Sequence, residues 1–480
     1  MSTLSRSPAC IAVVGGGFSG AMTAVNVARI SERPLHVVVI NNRGSVGRGV
    51  AYGLRRPEYL LNVAARNMSA FPDEPEHFLQ WLRTRSEFEL IPDVELRERF
   101  VPRQIYGDYL RSIVQHHLES PTETTRVTSE FVTGEAVDIE PRNGRAAVRL
   151  ADGSSLTADR VVLATGNGPP APLAGAQTLT THPGWVGNPW QQWEHRLPRH
   201  DGSIAILGTG LTAVDAILTL RDVGWLGGIH AISRHGWFPH AHFRGIEYPE
   251  FPPFDVDVTT AGLDKLQVMI KQHCAILNDQ DANPAIIVDK LRPHTQRIWQ
   301  NFSRDEKLAF AKHHAARWNV LRHGIDPEIY AQITSSQLTG QLQVQAARIT
   351  ELQAAQNRIR VGLEGGKPVV ADLVINATGP STKFTATRST LLQNLLGRGF
   401  IAPDDVDMGI DVDRDHTVLT AAGERSPWLL ALGPTLRGTY WETIAVPELR
   451  VQARRAAETL LGATRADVAE ESQLRLEYML

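Results

Sequence analysis

A glycine-rich hexapeptide between a short apolar run and an alanine-rich helical pattern constrains the fold of this chain more than any other feature. Residues 10–14 form the apolar run, and the hexapeptide GGGFSG follows from Gly15 to Gly20. In a strand–turn–helix unit that binds a dinucleotide, Gly15 permits the tight turn, Gly17 lets the backbone approach a pyrophosphate, and Gly20 lets the helix pack on the strand. The sequence therefore predicts a dinucleotide site at the N-terminus of a helix, where the helix dipole favours phosphate.

The strand predicted over residues 36–40 ends where such a unit usually carries an acid for the ribose. Asn41 stands at that position. An amide can hydrogen-bond a ribose hydroxyl, but it does so more weakly than a carboxylate. We therefore expect a weaker ribose contact at Asn41 and an unchanged pyrophosphate site.

The same unit recurs in the middle of the chain. A strand pattern over 203–207 precedes GTGLTA, which contains Gly208 and Gly210, and the next strand pattern is followed by Ser233 and Arg234. A hydroxyl and a guanidinium at the acid position suit a 2′-phosphate, which favours NADPH over NADH; a solvated surface arginine is the alternative. Two nucleotide sites in one chain indicate that one cofactor passes electrons to the other.

Two further runs predict buried strands that end in Ala-Thr-Gly, namely RVVLATG at 160–166 and DLVINATG at 372–379. We interpret these turns as the places where the chain leaves one dinucleotide domain and later re-enters it. The length of 480 residues agrees with more than one domain, since single cores stop growing near ~250–300 residues.

The predicted fold class is therefore α/β, with two Rossmann-like dinucleotide-binding domains. The first domain is discontinuous, over 1–175 and 371–480, and it encloses the second domain over 176–370. A helical pattern at about 261–330 predicts an insert in the second domain. The pattern fits a cap on that domain or an oligomer surface, and the oligomeric state stays open.

Composition excludes several classes of protein. The chain has 49 Lys+Arg against 52 Asp+Glu, a net charge of −3, which predicts no nucleic-acid surface. The two cysteines, Cys10 and Cys274, form no CxxC pair, disulfide framework or cysteine zinc site, which fits a reducing cytoplasm. Glycines interrupt the apolar stretch at 10–30, and no later stretch is long and apolar enough for a membrane span, so we expect a soluble protein.

Together these residues resemble the flavin-dependent monooxygenases with two dinucleotide domains, which bind FAD through the first glycine unit and NAD(P)H through the second. A narrower likeness lies in GRGVAY at 47–52, LLNV at 60–63, NMS at 67–69 and FLQWL at 78–82. These runs look like the family that holds the bacterial FAD-dependent urate hydroxylase and the L-aspartate N-monooxygenase that forms nitrosuccinate. The run at 432–450 is similar to the closing FAD segment of that family.

The resemblance implies FAD and NAD(P)H as cofactors, with dioxygen and a small molecule as substrates. It places Asn62 and Met68 near the flavin ring, Arg103 at the start of a helix that leans on the flavin, and Gly433 and Thr443 in the closing segment. From the residues alone, Arg103 could equally be a solvated charge and Met68 a core residue. The predicted cofactor-binding residues are Gly15, Gly17, Gly20, Asn41, Asn62, Met68, Arg103, Gly208, Gly210, Ser233, Arg234, Gly433 and Thr443.

Flavin oxygenation requires no nucleophilic side chain, so we assign no catalytic residue. The absence of a CxxC argues against disulfide reductases, whose chemistry needs a dithiol. Urate, a planar anion, would need a guanidinium and aromatic or amide groups. Two stretches offer such groups, and the substrate candidates are Arg437, Tyr440, Trp441, Trp237 and His240, with Phe238, His242 and Arg244 beside them.

Core or domain-interface packing is the alternative for the four aromatic side chains Trp237, Phe238, Tyr440 and Trp441. The histidines His235, His240 and His242 lack accompanying carboxylates or cysteines at ligand spacing, so we expect no metal. Three functions follow in order of preference: hydroxylation of urate to 5-hydroxyisourate, N-oxygenation of an amino acid such as L-aspartate, and a non-catalytic FAD/NAD(P)H redox sensor.

Overall fold

The computed structural model of the chain describes residues 9–42, 44–54, 56–120, 126–242 and 248–462. The strands are β1 (Ala9–Val14), β2 (Leu35–Asn41), β3 (Val127–Thr133), β4 (Ala136–Arg142), β5 (Arg145–Leu150), β6 (Ser155–Ala158), β7 (Arg160–Leu163), β8 (Trp185–Val186), β9 (Ser203–Leu207), β10 (Gly228–Ser233), β11 (Leu342–Ala346), β12 (Ile349–Ala355), β13 (Arg358–Leu363), β14 (Val369–Ala371), β15 (Leu373–Asn376), β16 (Thr417–Leu419) and β17 (Arg425–Ala431).

The helices are α1 (Phe18–Ile30), α2 (Gly49–Gly53), α3 (His77–Arg83), α4 (Asp93–Glu98), α5 (Arg103–Val114), α6 (Leu211–Asp222), α7 (Leu263–Asp279), α8 (Ala285–Leu291), α9 (Thr295–Asn301), α10 (Arg304–His313), α11 (Ala315–Arg322), α12 (Pro327–Leu338), α13 (Thr390–Gly397) and α14 (Val446–Leu461). Within the described ranges, every helix is too short or too polar to span a bilayer.

The first sheet has six strands in the order β16-β17-β7-β1-β2-β3. All neighbours pair in parallel except β16, which is antiparallel to β17. The central strand β1 is buried from Cys10 to Val14 because helices cover both faces of a parallel sheet. Helices α1 and α14 pack against each other on this sheet.

The second sheet has five parallel strands in the order β11-β10-β9-β15-β8. Its core joins strand residues such as Ile204 and Ile206 to Ile217 and Leu220 of α6. Strand, glycine turn and helix follow one another here as they do in the first sheet. The prediction of an α/β chain with two Rossmann-like domains is therefore confirmed.

Each domain also has a small antiparallel sheet of three strands. It is β4-β5-β6 in the first domain and β12-β13-β14 in the second. Each small sheet directly precedes the strand that ends in Ala-Thr-Gly, β7 or β15. β7 pairs with β1 in the first sheet, whereas β15 pairs with β9 in the second. Each Ala-Thr-Gly turn therefore ends a strand of its own domain.

The boundary expected at residue 371 is corrected by this pairing. Because β15 belongs to the second sheet, the chain returns to the first domain only after Gly379. The outgoing and returning segments run side by side, with an antiparallel bridge between Pro170 and Pro380 and a hydrogen bond from Ala171 N to Gly379 O of 2.9 Å. An apolar run shows that a strand is buried, but it does not show which sheet the strand joins.

The helical insert comprises α7 to α11 and has a hydrophobic core of its own, which includes Leu266, Ile287 and Trp299. Helix α12 instead places Ile329 and Ile333 in the core of the second domain. The insert therefore ends near residue 322 and not near 330. Trp441, from the returning part of the first domain, completes the core of the insert.

Candidate functional site

The first glycine loop joins β1 to α1. Gly15 has φ +114°, and a β-carbon there would lie 2.1 Å from the carbonyl oxygen of Ala164. A β-carbon at Gly20 would lie 1.9 Å from the carbonyl oxygen of Gly15. Glycine is therefore required at Gly15 by the turn and at Gly20 by the packing of helix on strand.

The segment from Gly47 to Gly49 lies over this loop. Gly47 N donates to Gly16 O at 2.8 Å, and a β-carbon at Gly49 would come within 2.9 Å of Gly17 Cα. A β-carbon at Gly17 would make only an ordinary contact, 3.6 Å from Gly49 Cα. The protein itself thus tolerates a side chain at Gly17, and a glycine there leaves room for a ligand.

Two buried polar atoms beside the loop fit a dinucleotide. Arg48 Nε and Thr165 Oγ1 are buried without a hydrogen-bond partner in the described part of the chain. Arg48 uses Nη2 for Asp108, at 2.6 Å, and Thr165 follows the Ala164 that abuts Gly15. A guanidinium and a hydroxyl at a helix N-terminus suit phosphate and ribose oxygens, so the residues present fit this group.

Asn41 lies at the end of β2, across the loop from Gly16. A β-carbon at Gly16 would be 2.8 Å from Asn41 Cβ, and the Asn41 amide donates to Gly44 O at 3.2 Å. The strand end therefore holds Asn41 at the expected ribose position. Sequence reasoning missed Arg48 and Thr165, although the glycines that flank Arg48 and the repeated Ala-Thr-Gly were available signals.

Gly433 and Thr443 close the first loop from the other side. A β-carbon at Gly433 would be 3.0 Å from Ser19 Oγ in the first turn of α1. Thr443 Oγ1 donates to Gly433 O at 2.9 Å, and the Gln452 amide bonds both Thr443 Oγ1 and Gly433 N, at 2.8 and 3.0 Å. The Thr443 hydroxyl is thus committed to fixing the segment.

Arg103 and Asp215 form a buried ion pair between the two domains. The two guanidinium–carboxylate distances are 2.9 and 3.1 Å, and Arg103 Nε donates to Leu60 O at 3.0 Å. Burial raises the pKa of Asp215, and the Arg103 charge opposes that shift. The alternative of a solvated charge is corrected, because the Arg103 guanidinium is buried against Asp215. The placement of Arg103 on the flavin side stays a prediction.

Met68 and Asn62 are placed differently from each other. Met68 is 2% exposed and packs in the core of the first domain. Asn62 is half-buried, and its carbonyl oxygen lies 2.9 Å from the His242 ring. His242 also stacks on Phe100 with ring centroids 5.0 Å apart, and burial lowers its pKa. Asn62 therefore marks a junction of the domains.

The second loop repeats the first turn but is held by hydroxyls. Gly208 has φ +113°, and a β-carbon there would lie 2.4 Å from Ala377 O. Ser233 Oγ lies 2.8 Å from Thr209 Oγ1 and accepts from Gly236 N at 3.0 Å. Gly210 lies directly before α6, and apart from its chain neighbours no atom of the described residues lies within 4 Å of a β-carbon there.

Arg234 directly follows β10 and is exposed. It lies at the strand end where the 2′-phosphate of NADPH would be expected. The Ser233 hydroxyl, by contrast, holds the loop through Thr209, so the two predicted residues are placed in different environments.

The substrate candidates do not form one cluster. Trp441 is buried against Trp299, with ring centroids 4.8 Å apart, and Arg437 lies over Trp441 at 4.9 Å. Burial lowers the pKa of Arg437, and the charge of Glu442 opposes that effect. Tyr440 instead belongs to the core of the first domain.

The second stretch lies elsewhere. Trp237 is 40% exposed, stacks on His235 at 4.4 Å, and lies 5.8 Å from the Arg317 guanidinium. His240 is exposed and stacks on Tyr330. No group of three His, Cys, Asp or Glu among the described residues could hold a metal. Phe238 packs at the edge of the second core, and Arg244 lies outside the described residues.

The helical insert is bonded to the closing segment of the first domain. Trp299 Nε1 donates to Gly438 O at 2.7 Å. Two further bonds reach Glu442, from the Gln296 amide to its carbonyl oxygen at 2.8 Å and from Trp318 Nε1 to its carboxylate at 3.0 Å. The insert is thus attached to the segment that closes the first glycine loop, a contact that neither sequence alternative included.

A cavity of about 510 Å³ lies inside the insert. Its walls come from α7 to α11 and from Trp441, and they are predominantly apolar. The aromatic walls are Trp299, Phe302, Phe310, Trp318 and Trp441. The cavity therefore touches the same segment that closes the first glycine loop.

Residues 12–168 match the model of a family described as FAD-NAD(P)-binding. This match covers the first glycine loop, Asn41 and the first Ala-Thr-Gly turn. FAD and NAD(P)H are accordingly the cofactors of this two-domain fold. No curated protein sequence matches the chain.

Solved structures of similar fold include the ornithine N-hydroxylase of Kutzneria sp. 744, at 17% identity, 95% coverage of this chain, 99% of that chain and a TM-score of 0.62. L-lysine 6-monooxygenase from Pseudomonas syringae is 18% identical, with 95% of this chain and 99% of that chain covered and a TM-score of 0.61. The bacillithiol disulfide reductase of Staphylococcus aureus is 13% identical, with 96% of this chain and 100% of that chain covered and a TM-score of 0.53. At these identities the likeness shows the fold, which monooxygenases and a disulfide reductase share.

Proposed function

We propose that the chain is an FAD-dependent, NAD(P)H-using monooxygenase that oxygenates the nitrogen of a small amine. The observation that carries the proposal is a complete pair of dinucleotide domains without a dithiol, joined to a cavity-bearing insert. When bound, reduced FAD supplies the electrons that activate dioxygen, and NAD(P)H supplies those that reduce FAD.

The cysteines separate oxygenation from disulfide reduction. Cys10 lies in β1, where it is buried, and Cys274 lies in α7 of the insert. Burial raises the pKa of both thiols, which disfavours the thiolate that disulfide exchange needs. A disulfide reductase requires two such sulfurs close together. The sequence has only two cysteines, and they lie in different parts of the fold.

The chain's own residues supply binding and exclusion of water. Arg48 and Thr165 offer free polar atoms at the first loop, and Arg234 is available at the second. The insert lies on the closing segment through Trp299 and Trp441, whose rings exclude water from that side. Such an arrangement orients cofactor and substrate without a nucleophilic side chain.

We prefer N-oxygenation to urate hydroxylation because the walls of the cavity are predominantly apolar. Urate carries carbonyl and N–H groups around its whole edge, and burying them against apolar walls would leave them without hydrogen bonds. An amine has one polar end and can present an apolar body. The ornithine and lysine N-hydroxylases of the same fold support this preference.

The test follows NADPH and dioxygen consumption with a panel of urate, L-aspartate and apolar amines, and it searches by mass spectrometry for a product that has gained one oxygen. We expect an amine to stimulate both consumptions equally and to yield an N-hydroxylated product. Urate-stimulated consumption with loss of urate would overturn N-oxygenation in favour of urate hydroxylation. Indifference to every compound would favour a redox sensor.

A further inference from the structure

The cavity of the insert has the features of a binding site, because its walls are apolar and its opening to solvent carries positive charge. Inside, Trp299, Phe302, Phe310 and Trp318 present aromatic surfaces. A cavity of this size and character suits a small ligand with an apolar body. Aromatic walls also contribute stacking and edge-to-face contacts beyond area burial.

The mouth is cationic. Lys271 on α7 and Arg317 on α11 line the cavity and are exposed. None of the described residues that line it is acidic. A ligand whose charged end faces this mouth should therefore be an anion, and a carboxylate pairs well with a guanidinium.

The same chemistry acts on an amine. An apolar wall without carboxylates, beside two cations, disfavours an ammonium and favours the neutral amine. Only the neutral nitrogen has the lone pair that oxygenation requires. A second carboxylate or a second ammonium on the ligand would be buried without a partner, which is costly.

We propose that this cavity binds an α-amino acid with a large apolar side chain, such as L-phenylalanine or L-tryptophan, with the side chain against the aromatic walls and the carboxylate at Lys271 and Arg317. This inference rests on the proposed N-oxygenation and names its substrate class. Trp441 lines the cavity and belongs to the segment that closes the first glycine loop, so a ligand in the cavity lies beside that segment.

Binding is measured first, by isothermal titration calorimetry on the FAD-loaded full chain without NADPH. The probes are L-phenylalanine, L-tryptophan, L-aspartate, L-lysine, 3-phenylpropanoate and phenethylamine. We expect the two aromatic amino acids to bind at least about tenfold more tightly than L-aspartate and L-lysine. Equal affinities across the four amino acids would overturn the proposal.

A cavity-filling variant locates the site. Ala275 lines the cavity at an exposed position of α7, and Gln272 is exposed on the same helix outside the lining. Ala275→Phe should weaken L-phenylalanine binding by about tenfold or more, and Gln272→Phe should leave it unchanged. Binding that is insensitive to Ala275→Phe, with the far-UV circular dichroism and flavin spectrum retained, would place the ligand elsewhere.

A charge variant assigns the carboxylate. Lys271→Gln with Arg317→Gln should weaken L-phenylalanine and 3-phenylpropanoate by about tenfold, whereas phenethylamine should bind no more weakly, because the two cations that disfavour its ammonium are removed. Lys265→Gln with Lys312→Gln, two exposed residues of α7 and α10 outside the lining, serves as the matched control. An equal loss for phenethylamine would overturn the carboxylate assignment.

Turnover then separates this inference from the proposed function. Aromatic amino acids that bind in the cavity without yielding an N-hydroxylated product would leave the binding site standing and overturn N-oxygenation of this class. An N-hydroxylated product from L-aspartate alone, unaffected by Ala275→Phe, would retain N-oxygenation and overturn the cavity as the substrate site.

Discussion

Gly15 and Gly208 begin the two dinucleotide loops under nearly the same conditions. Each N–H donates to the last residues of the next strand, to Ile40 O at 2.9 Å and to Ile232 O at 2.7 Å. Each would meet the alanine carbonyl of its own Ala-Thr-Gly turn if it carried a β-carbon, at 2.1 and 2.4 Å. The turn is therefore built twice by the same backbone geometry.

The loops differ in what lies over them. The segment from Gly47 to Gly49 and the closing segment at Gly433 both approach the first loop, whereas a β-carbon at Gly210 would meet nothing within 4 Å in the described structure. The third glycine also differs, since Gly20 is required and Ala213 is accommodated in its place. We infer that the first loop encloses a retained cofactor and the second receives an exchangeable one.

Alanine at the middle glycine of each loop sharpens this comparison most. Gly17→Ala adds a methyl that the protein tolerates but a bound pyrophosphate would not, and overpacking of about 1–3 kcal/mol corresponds to a loss of affinity of about five- to 160-fold. We expect Gly17→Ala to lose FAD on gel filtration. Gly210→Ala should retain FAD and bind NADPH more weakly.

The two variants control each other, with flavin absorbance per chain and NADPH titration as the measurements. Full flavin content in Gly17→Ala would show that the first loop does not hold the pyrophosphate. Loss of flavin from Gly210→Ala would show that the two loops are not independent.

The ion pair that joins the halves gives the next effect. Arg103→Ala leaves Asp215 buried without its cation, which costs about 3 kcal/mol of the free energy of unfolding. Because burial already raises the pKa of Asp215, the carboxylate form is the disfavoured one in the folded state. The loss should therefore be larger at pH 8 than at pH 5, as urea denaturation at both pH values would show.

A double variant, Arg103→Met with Asp215→Leu, should recover most of that stability because no charge is left unpaired. Loss of FAD from Arg103→Ala with unchanged stability would instead support the predicted placement of Arg103 on the flavin side.

The smallest effect concerns the exposed arginine of the second loop. Arg234→Ala should raise the Michaelis constant for NADPH by about tenfold and leave that for NADH unchanged, since only NADPH carries the 2′-phosphate. Arg199→Ala, at another exposed arginine of the same domain, is the control. Equal changes for both nucleotides would remove the 2′-phosphate contact.

The sequence was sufficient for the features that local pattern determines. Both glycine loops, the buried strands before the two Ala-Thr-Gly turns and the helical insert follow from short runs of residues. Contacts between residues far apart in the chain could not be predicted from such short runs. Asp215 beside Arg103 and Trp441 in the core of the insert depend on how separate elements pack.

Domain membership was the other limit. The apolar pattern of β15 is the same whether it pairs with β9 or with β7, and the helical pattern of α12 does not show that it leaves the insert. Register and layer are properties of the sheet as a whole, so the boundaries at 371 and 330 were placed several residues away from where the structure has them.

The side-by-side crossing at Pro170 and Pro380 has a consequence for biosynthesis. The chain enters and leaves the second domain at adjacent positions. All strands of that domain's sheet have therefore been synthesised once β15 has left the ribosome. The first domain must wait for β17 to pair with β7 and for α14 to cover α1, although its opening strand is made first. The sheet of the second domain is thus fully synthesised before that of the first, and the segment that closes the first glycine loop is made last.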